Sequence, residues 1–123
     1  MKTYERIALL GDALNTCEKK DNTLWADRHR EELETIEKDY LPMGSGIDSG
    51  CKIVSADGNK IVISTAFHHM DQNGYYDGWT EHNIIVKPSL IYNFNISITG
   101  TNKNNIKEYL TDLFRSKLDQ EWK

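Results

Sequence analysis

Residues 67–82 concentrate the side chains of this chain that can do the most chemistry. The stretch reads FHHMDQNGYYDGWTEH and holds three of the four histidines, together with acidic and large aromatic residues. Imidazole and carboxylate groups bind transition metals and transfer protons near neutral pH. Tyrosine and tryptophan rings anchor protein interfaces or stack on bases. The candidate residues for these roles are His68, His69, Asp71, Asn73, Tyr75, Tyr76, Trp79, Glu81 and His82.

The spacing of these residues favours non-covalent binding over two alternatives, which are a catalytic metal site and acid–base catalysis by histidine. No two histidines have the helical i, i+4 spacing of a metalloprotease motif, so a metal site requires convergence across strands. For acid–base chemistry, no nucleophile is singled out, since Ser45 and Ser49 lie outside any nucleophile-elbow pattern. The structural alternative is that residues 71–74 form an ordinary polar hairpin connection with aromatic residues clamped at its base. No metal ligand, catalytic residue or cofactor is therefore predicted.

A second candidate is the glycine-rich segment LPMGSGIDSG at residues 41–50. Such segments can turn backbone N–H groups and hydroxyls toward an anion. This one lacks the phosphate-binding and dinucleotide-binding glycine motifs, and it precedes a predicted strand where those motifs precede a helix. It is a candidate ligand loop or, alternatively, a plain connection that also ends a helix. Its candidate residues are Gly44, Ser45, Gly46, Asp48 and Ser49.

Periodicity predicts the elements that position these residues. Apolar residues recur every three or four positions over 4–18, with Ile7, Leu10, Leu14 and Cys17 on one stripe, and this predicts a first helix. A second helix follows the capping residues 21–23, carries Trp25, His29, Leu33, Ile36 and Tyr40 on its stripe, and ends before Pro42. A last helix is predicted over 104–118.

Four strands are predicted between the second and third helices. The first two, 51–55 and 60–69, flank Asp57-Gly58, whose positive φ angles suit a tight hairpin turn. The third covers 79–87, and the fourth alternates from Leu90 through Tyr92 and Phe94 to Ile98. The order ααββββα and the short connections predict one α+β domain, with the helices on one face of a four-stranded antiparallel meander.

Strand alternation divides the histidines between two sheet faces. Neighbouring residues of a strand point to opposite sides, so His68 and His69 separate unless a bulge intervenes. In the second strand, the alternation predicts that His69 shares a face with Ile61, Ile63 and Phe67, and that His68 shares the other face with Val62 and Ala66. In the third strand, it predicts that His82 shares a face with Ile84 and Val86, and that Glu81 shares the other with Trp79 and Ile85. This division favours a contact surface built from loops over a single metal cluster.

Composition excludes several classes of function. The formal net charge is −4, from 19 acidic and 15 basic residues, without a basic stripe for nucleic-acid phosphates. No apolar run approaches the roughly 20 residues that span a bilayer, and the first residues show no secretory signal. We therefore expect a cytoplasmic protein with no membrane association and no sequence-independent binding to nucleic acid. Cys17 and Cys51 are predicted to be reduced thiols.

Residues 41–113 resemble a family of small proteins encoded by phages, prophages and plasmids. The matching motifs are residues 41–50, the run HHMDQNGYYDGWTEH at 68–82, and NNIKEYL at 104–110. The resemblance assigns no catalytic residue. It implies a protein of a bacterial host's mobile element, a class in which small proteins without a catalytic signature often block or sequester a component of host defence.

Our leading hypothesis from the sequence is a non-enzymatic binding protein that uses the glycine-rich segment and the aromatic hairpin as its contact surface. A host protein and a small nucleotide-like ligand both fit such a surface. One rival hypothesis is a small hydrolase or nuclease acting on a phosphorylated substrate through the histidines. The other is a structural module that forms homo-oligomers.

Overall fold

The computed structural model describes residues 1–44, 46–70, 72–100 and 104–122 and confirms the predicted order of elements. Three helices and four strands follow one another as ααββββα. The strands form one antiparallel sheet in the order β1-β2-β3-β4, which is the predicted meander. The elements are α1 (Thr3–Lys19), α2 (Thr23–Asp39), β1 (Ile47–Ala56), β2 (Ile61–Met70), β3 (Tyr76–Pro88), β4 (Phe94–Thr99) and α3 (Asn104–Leu118).

The start of α2 follows from its sequence, but one residue of its predicted stripe does not reach the core. The side-chain oxygen of Asn22 accepts the Trp25 backbone N–H at 3.4 Å and caps the helix. Leu33 and Ile36 are buried as predicted, whereas Trp25 is exposed and Ala26 is buried in its place. The small Ala26 side chain lets α2 lie closer to the rest of the protein than tryptophan would. Instead, Trp25 lies under the guanidinium group of Arg28.

Register gives the sheet two different faces. On the inner face, toward the helices, Ile61 pairs with Val86 and Ile63 pairs with Ile84. All four are buried and belong to the same core cluster as Ile7, Leu110 and Phe114 of the helices. The outer face carries Val62, Ser64, Ala66 and Ile85 at the alternate positions. The three helices therefore cover one face only, and the division of residues predicted from alternation is confirmed.

The β1–β2 hairpin is present, but the predicted reason for its turn is wrong. Neither Asp57 nor Gly58 has a positive φ angle. Instead, one oxygen of the Asp57 carboxylate accepts the N–H groups of Asn59 and Lys60, at 2.7 and 2.8 Å. These backbone hydrogen bonds lower the pKa of Asp57, because they stabilise its charged form. The aspartate side chain therefore makes the turn, and the glycine is not required for its conformation.

Three strand starts differ from the prediction, and one of them is that of β3, which begins at Tyr76 rather than at 79. β1 begins at Ile47 rather than at 51: Ile47 and Asp48 pair with Phe67 and Ala66 of β2, and a bulge at residues 49 and 50 separates this pair from Cys51. β4 begins at Phe94, and the Leu90 and Tyr92 side chains, predicted on the core face, are exposed. Pro88 pairs with Phe94, so residues 89–93 must reverse the chain and have no strand opposite them.

Close packing of α1 on the sheet depends on Gly11. This buried glycine faces the last residue of β1, and a Cβ atom placed on it would overlap the Ala56 carbonyl oxygen and lie 2.7 Å from the Ala56 Cβ. No helix in the described part of the chain has the length and apolar character to cross a membrane.

We expect Gly11→Ala to destabilise the protein by about 2 kcal/mol, because the added methyl group must displace backbone atoms of β1. Urea unfolding measures the change. Gly58→Ala is the matched control: its Cβ would meet the flexible Asp12 carboxylate 3.1 Å away, and we expect a change within about 0.5 kcal/mol. Equal effects of the two variants would contradict the packing of α1 described above.

Candidate functional site

A bulge in β3 sets the positions of the side chains at the end of the β2–β3 hairpin. His68 pairs with Trp79 and Met70 pairs with Tyr76, so two residues of β3, Asp77 and Gly78, lie opposite His69. Gly78 has a φ angle of 95°, in the left-handed region that favours glycine. The bulge reverses the alternation and brings Tyr76 to the outer face, where its ring meets that of His68 at 5.1 Å between centroids.

On the inner face, His69 joins two residues of the neighbouring strand. Its Nε2 atom lies 2.6 Å from the Thr80 hydroxyl oxygen. The rings of His69 and His82 are 6.5 Å apart between centroids, and the His69 ring meets the Phe67 ring edge-on at 6.0 Å. Two of the three histidines of the hairpin therefore lie together beneath the sheet. The third, His68, lies on the opposite face.

An open cavity of about 530 Å³ adjoins these inner-face residues. Three separate segments line it: the glycine-rich segment, the end of β2 and the first two turns of α3. A hydrogen bond from the His68 N–H to the Gly46 carbonyl oxygen, 2.8 Å long, fastens the first segment to the second. The lining residues are Gly46, Phe67, His68, His69, Asn105, Ile106 and Tyr109.

Gly46 is required at the cavity by its conformation and by its neighbour. Its φ angle is 97°, and a Cβ atom there would lie 2.6 Å from the Phe67 ring. Across the cavity wall, the Phe67 and Tyr109 rings meet edge-on at 5.9 Å between centroids. Tyr109 is 41% exposed, so part of its ring is accessible to a ligand. The lining therefore combines aromatic rings with imidazole and amide groups.

His82 is a buried histidine behind the cavity. It is 1% exposed, and neither ring nitrogen has a partner of hydrogen-bond geometry among the residues that the structure describes. Burial lowers the pKa of His82. The Thr99 backbone raises this pKa and so opposes the effect of burial, whereas the neighbouring His69 lowers it further. The imidazole is therefore neutral at pH 7. A Cβ atom on Gly100 would overlap the Glu81 carbonyl oxygen and approach the His82 ring, so the chain passes close to His82 only because Gly100 lacks a side chain.

The remaining predicted site residues are spread over other places. Ser45 and Asp71 lie outside the described residues, as do the side chains of Asp48 and Ser49, although the backbone of both belongs to β1. Gly44 has no atom within 4 Å of where its Cβ would be. Asn73, Tyr75, Tyr76, Trp79 and Glu81 are exposed at the hairpin end or on the outer face. The structure thus joins Gly46 to the histidines. The exposed aromatic residues of the hairpin do not line the cavity, although the Tyr76 ring contacts that of the lining residue His68.

Sequence reasoning missed five residues of this region: Phe67, Thr80, Asn105, Ile106 and Tyr109. Phe67 and Tyr109 follow the apolar periodicity of their strand and helix, but periodicity identifies a face without showing where that face opens to solvent. Thr80 gave no signal by itself. Its position next to His69 follows from the β2–β3 register and could have been derived from that pairing.

Neither cysteine belongs to the cavity, and both are free, as predicted. Burial raises the pKa of the Cys51 thiol to about 11, against the opposing effect of the Thr65 hydroxyl. Cys51 is therefore an unreactive core thiol. Within the described part of the chain, no three histidine, cysteine or acidic residues are grouped so that they could hold a metal ion.

Comparison of the chain with protein-family models, with curated proteins and with solved structures finds no match. The resemblance to proteins of phages, prophages and plasmids thus stays a prediction.

The lowered pKa of His82 predicts a dependence of stability on pH. The unfolded chain takes up a proton near the ordinary pKa of 6.5, whereas the folded protein keeps His82 neutral. The stabilisation is therefore complete above pH 6.5 and is lost as the pH falls from there through the folded-state pKa. We expect His82→Leu to flatten the decline in unfolding free energy between pH 7 and 5, by at most about 1.4 kcal/mol per pH unit. Urea unfolding across this range measures it, and identical slopes for the two proteins would show that His82 does not resist protonation.

Proposed function

We propose that this chain is a non-enzymatic binding protein of a phage or other mobile element, and that it sequesters a small nucleotide-like ligand in the cavity formed by Gly46, β2 and α3. The observation that carries the proposal is the convergence of these three segments on one open cavity. Small-molecule sites are typically clefts of about 300–1,000 Å³ with mostly apolar walls and a few polar groups. At about 530 Å³, the cavity has the right size for a nucleoside or mononucleotide.

The lining suits a planar ring with polar edges. Phe67 and Tyr109 offer aromatic surface, and a base stacked on such a ring contributes about 1–3 kcal/mol to binding. His69 and Asn105 supply hydrogen-bonding groups beside those rings. The neutral His82 behind them adds no positive charge to the site at pH 7. These features favour recognition of the base of the ligand over recognition of its phosphates.

The described residues around the cavity support sequestration over conversion of the ligand, because no catalytic groups that act together are found among them. No carboxylate lines the described part of the cavity, and no described acidic residue is hydrogen-bonded to His69. A protein of a mobile element that binds a small ligand and does not convert it lowers the free concentration of that ligand in the host. This corresponds to the class of host-defence antagonist implied by the family resemblance.

Contact with a host protein through the hairpin end remains a second prediction about partners. Tyr75, Tyr76 and Trp79 are exposed there, and aromatic residues of this kind dominate many protein interfaces. Tyr75 and Trp79 are not part of the cavity lining, so substitutions at these two residues separate protein contact from ligand binding.

We expect at least one member of a panel of ribonucleosides and 5′-mononucleotides to bind the full chain in a 1:1 ratio in isothermal titration calorimetry. Tyr109→Ala should then weaken binding about tenfold or more, because it removes the stacking surface. Tyr75→Ala is the matched control, since it removes an exposed tyrosine at the hairpin end, outside the cavity, and should leave the affinity unchanged. Failure of the whole panel to bind, or equal losses in the two variants, would refute the proposed site.

One specific observation favours a rival function, a hydrolase acting on a phosphorylated substrate. The 2.6 Å contact between His69 Nε2 and the Thr80 hydroxyl is within the distance at which a histidine acts as general base toward a hydroxyl group or a bound water. Against it, no carboxylate among the described residues orients the imidazole, as catalytic histidines usually require.

The binding proposal predicts that the wild-type protein releases no more p-nitrophenol from bis(p-nitrophenyl) phosphate than His69→Gln does. Absorbance at the p-nitrophenolate band, followed over hours, measures the release. Turnover that is lost in both His69→Gln and Thr80→Val, but kept in Tyr75→Ala, would establish the hydrolase instead.

A further inference from the structure

The connection between β3 and β4 exposes three consecutive large apolar side chains. Leu90 is 107% exposed, Ile91 85% and Tyr92 63%. We call these three residues the apolar tip. Isolated exposed apolar residues are common on protein surfaces, but contiguous ones mark interaction sites. The exposure of Leu90 also means that its side chain makes essentially no contact within its own chain.

Hydrogen bonds define the conformation of the apolar tip. The Ser89 hydroxyl oxygen accepts the backbone N–H groups of Ile91 and Tyr92, both at 3.2 Å. At the base of the turn, the Ser89 N–H donates to the Asn93 carbonyl oxygen at 3.3 Å. The Asn93 side chain in turn donates to the Asp119 carboxylate at 2.9 Å, just after α3. The tip is therefore an ordered projection, and little conformational entropy would be lost when a partner covers it.

An apolar recess of about 250 Å³ lies at the same end of the sheet. It is bounded by α1, by the β1–β2 turn and by the last residues of β3. We call it the α1 recess. Leu9, 51% exposed, belongs to it and remains accessible from outside. Its apolar lining consists of Tyr4, Ala8, Leu9, Ile61, Val86 and Pro88.

We propose that a second copy of this chain places its apolar tip in the α1 recess, and that the reciprocal contact forms a two-fold symmetric dimer. Pro88 lines the recess and stands two residues before Leu90, so the projection and the recess adjoin on one surface. A two-fold axis near Pro88 brings each tip to the other copy's recess, because in such an interface the same patch serves both partners. The exposed tip does not fill the recess of its own chain, so a second molecule is needed to cover both.

The charges around the recess are compatible with self-association. Three acids, Glu5, Asp12 and Asp57, line it together with Lys60, and none of the four forms an ion pair with any residue in the described ranges. When two copies meet across a two-fold axis, Lys60 of one can approach the acids of the other. Each copy therefore has one cation that can pair with an acid of its partner at the edge of the apolar contact.

Sedimentation velocity over a wide range of protein concentration tests the dimer. We expect the wild-type chain to shift from monomer to dimer as its concentration rises. Leu90→Asp, at the tip, and Leu9→Asp, at the recess, should each raise the dimer dissociation constant about tenfold or more, since each buries a charge in the apolar contact. Both positions are exposed in the single chain, so the far-ultraviolet circular dichroism should not change.

The matched control is Tyr75→Asp, which adds the same charge at the opposite end of the sheet and should leave the dissociation constant unchanged. A chain that stays monomeric at the highest concentration, or a dimer that neither leucine variant weakens, would overturn the proposal. A monomer that co-sediments with vesicles of phosphatidylcholine and phosphatidylglycerol through Leu90 would also overturn it and assign the tip to a membrane surface.

Discussion

The pairing of β2 with β3 is the interaction on which the rest of this structure depends. Burial of Ile61, Ile63, Ile84 and Val86 against the helices determines which face of the two strands points inward. Because side chains alternate along a strand, that choice also places His69 and His82 inside and His68 outside. A slip of one residue would exchange the faces and expose the core. The position of the histidines is thus a consequence of hydrophobic burial rather than of any interaction between them.

Three glycines with positive φ angles shape the surroundings of this strand pair. Gly46 brings the glycine-rich segment against Phe67, Gly100 carries the end of β4 past His82, and Gly78 forms the bulge that turns Tyr76 outward. Each has a positive φ angle, and at Gly46 and Gly100 a Cβ atom would also collide with a neighbour. The cavity and the outer aromatic group are therefore products of backbone conformations that other residues adopt only with strain.

Two features of the molecule are unfavourable for the isolated chain and are understandable as parts of a binding protein. His82 is buried without a described hydrogen-bond partner, and a buried polar group in that state costs free energy. The apolar tip exposes three large side chains to water. His82 lies at the middle of β3, behind the proposed ligand cavity, whereas the apolar tip lies beyond the end of that strand, on the proposed dimer surface. Ligand binding and self-association would therefore use separate parts of the fold.

The sequence by itself determined the order of elements, the meander and the division of His68, His69 and His82 between two faces, since these follow from local periodicity and from the alternation of side chains. It did not determine where β4 begins. Leu90 and Tyr92 share the alternation of Phe94, but they precede the first residue of β4 that pairs with β3. Nor did it reveal the cavity, because Gly46, His69 and Tyr109 are far apart in the chain and meet only when α3 packs beside the sheet. Tertiary structure alone decided these points, since strand partners and cavity walls come from residues distant in sequence.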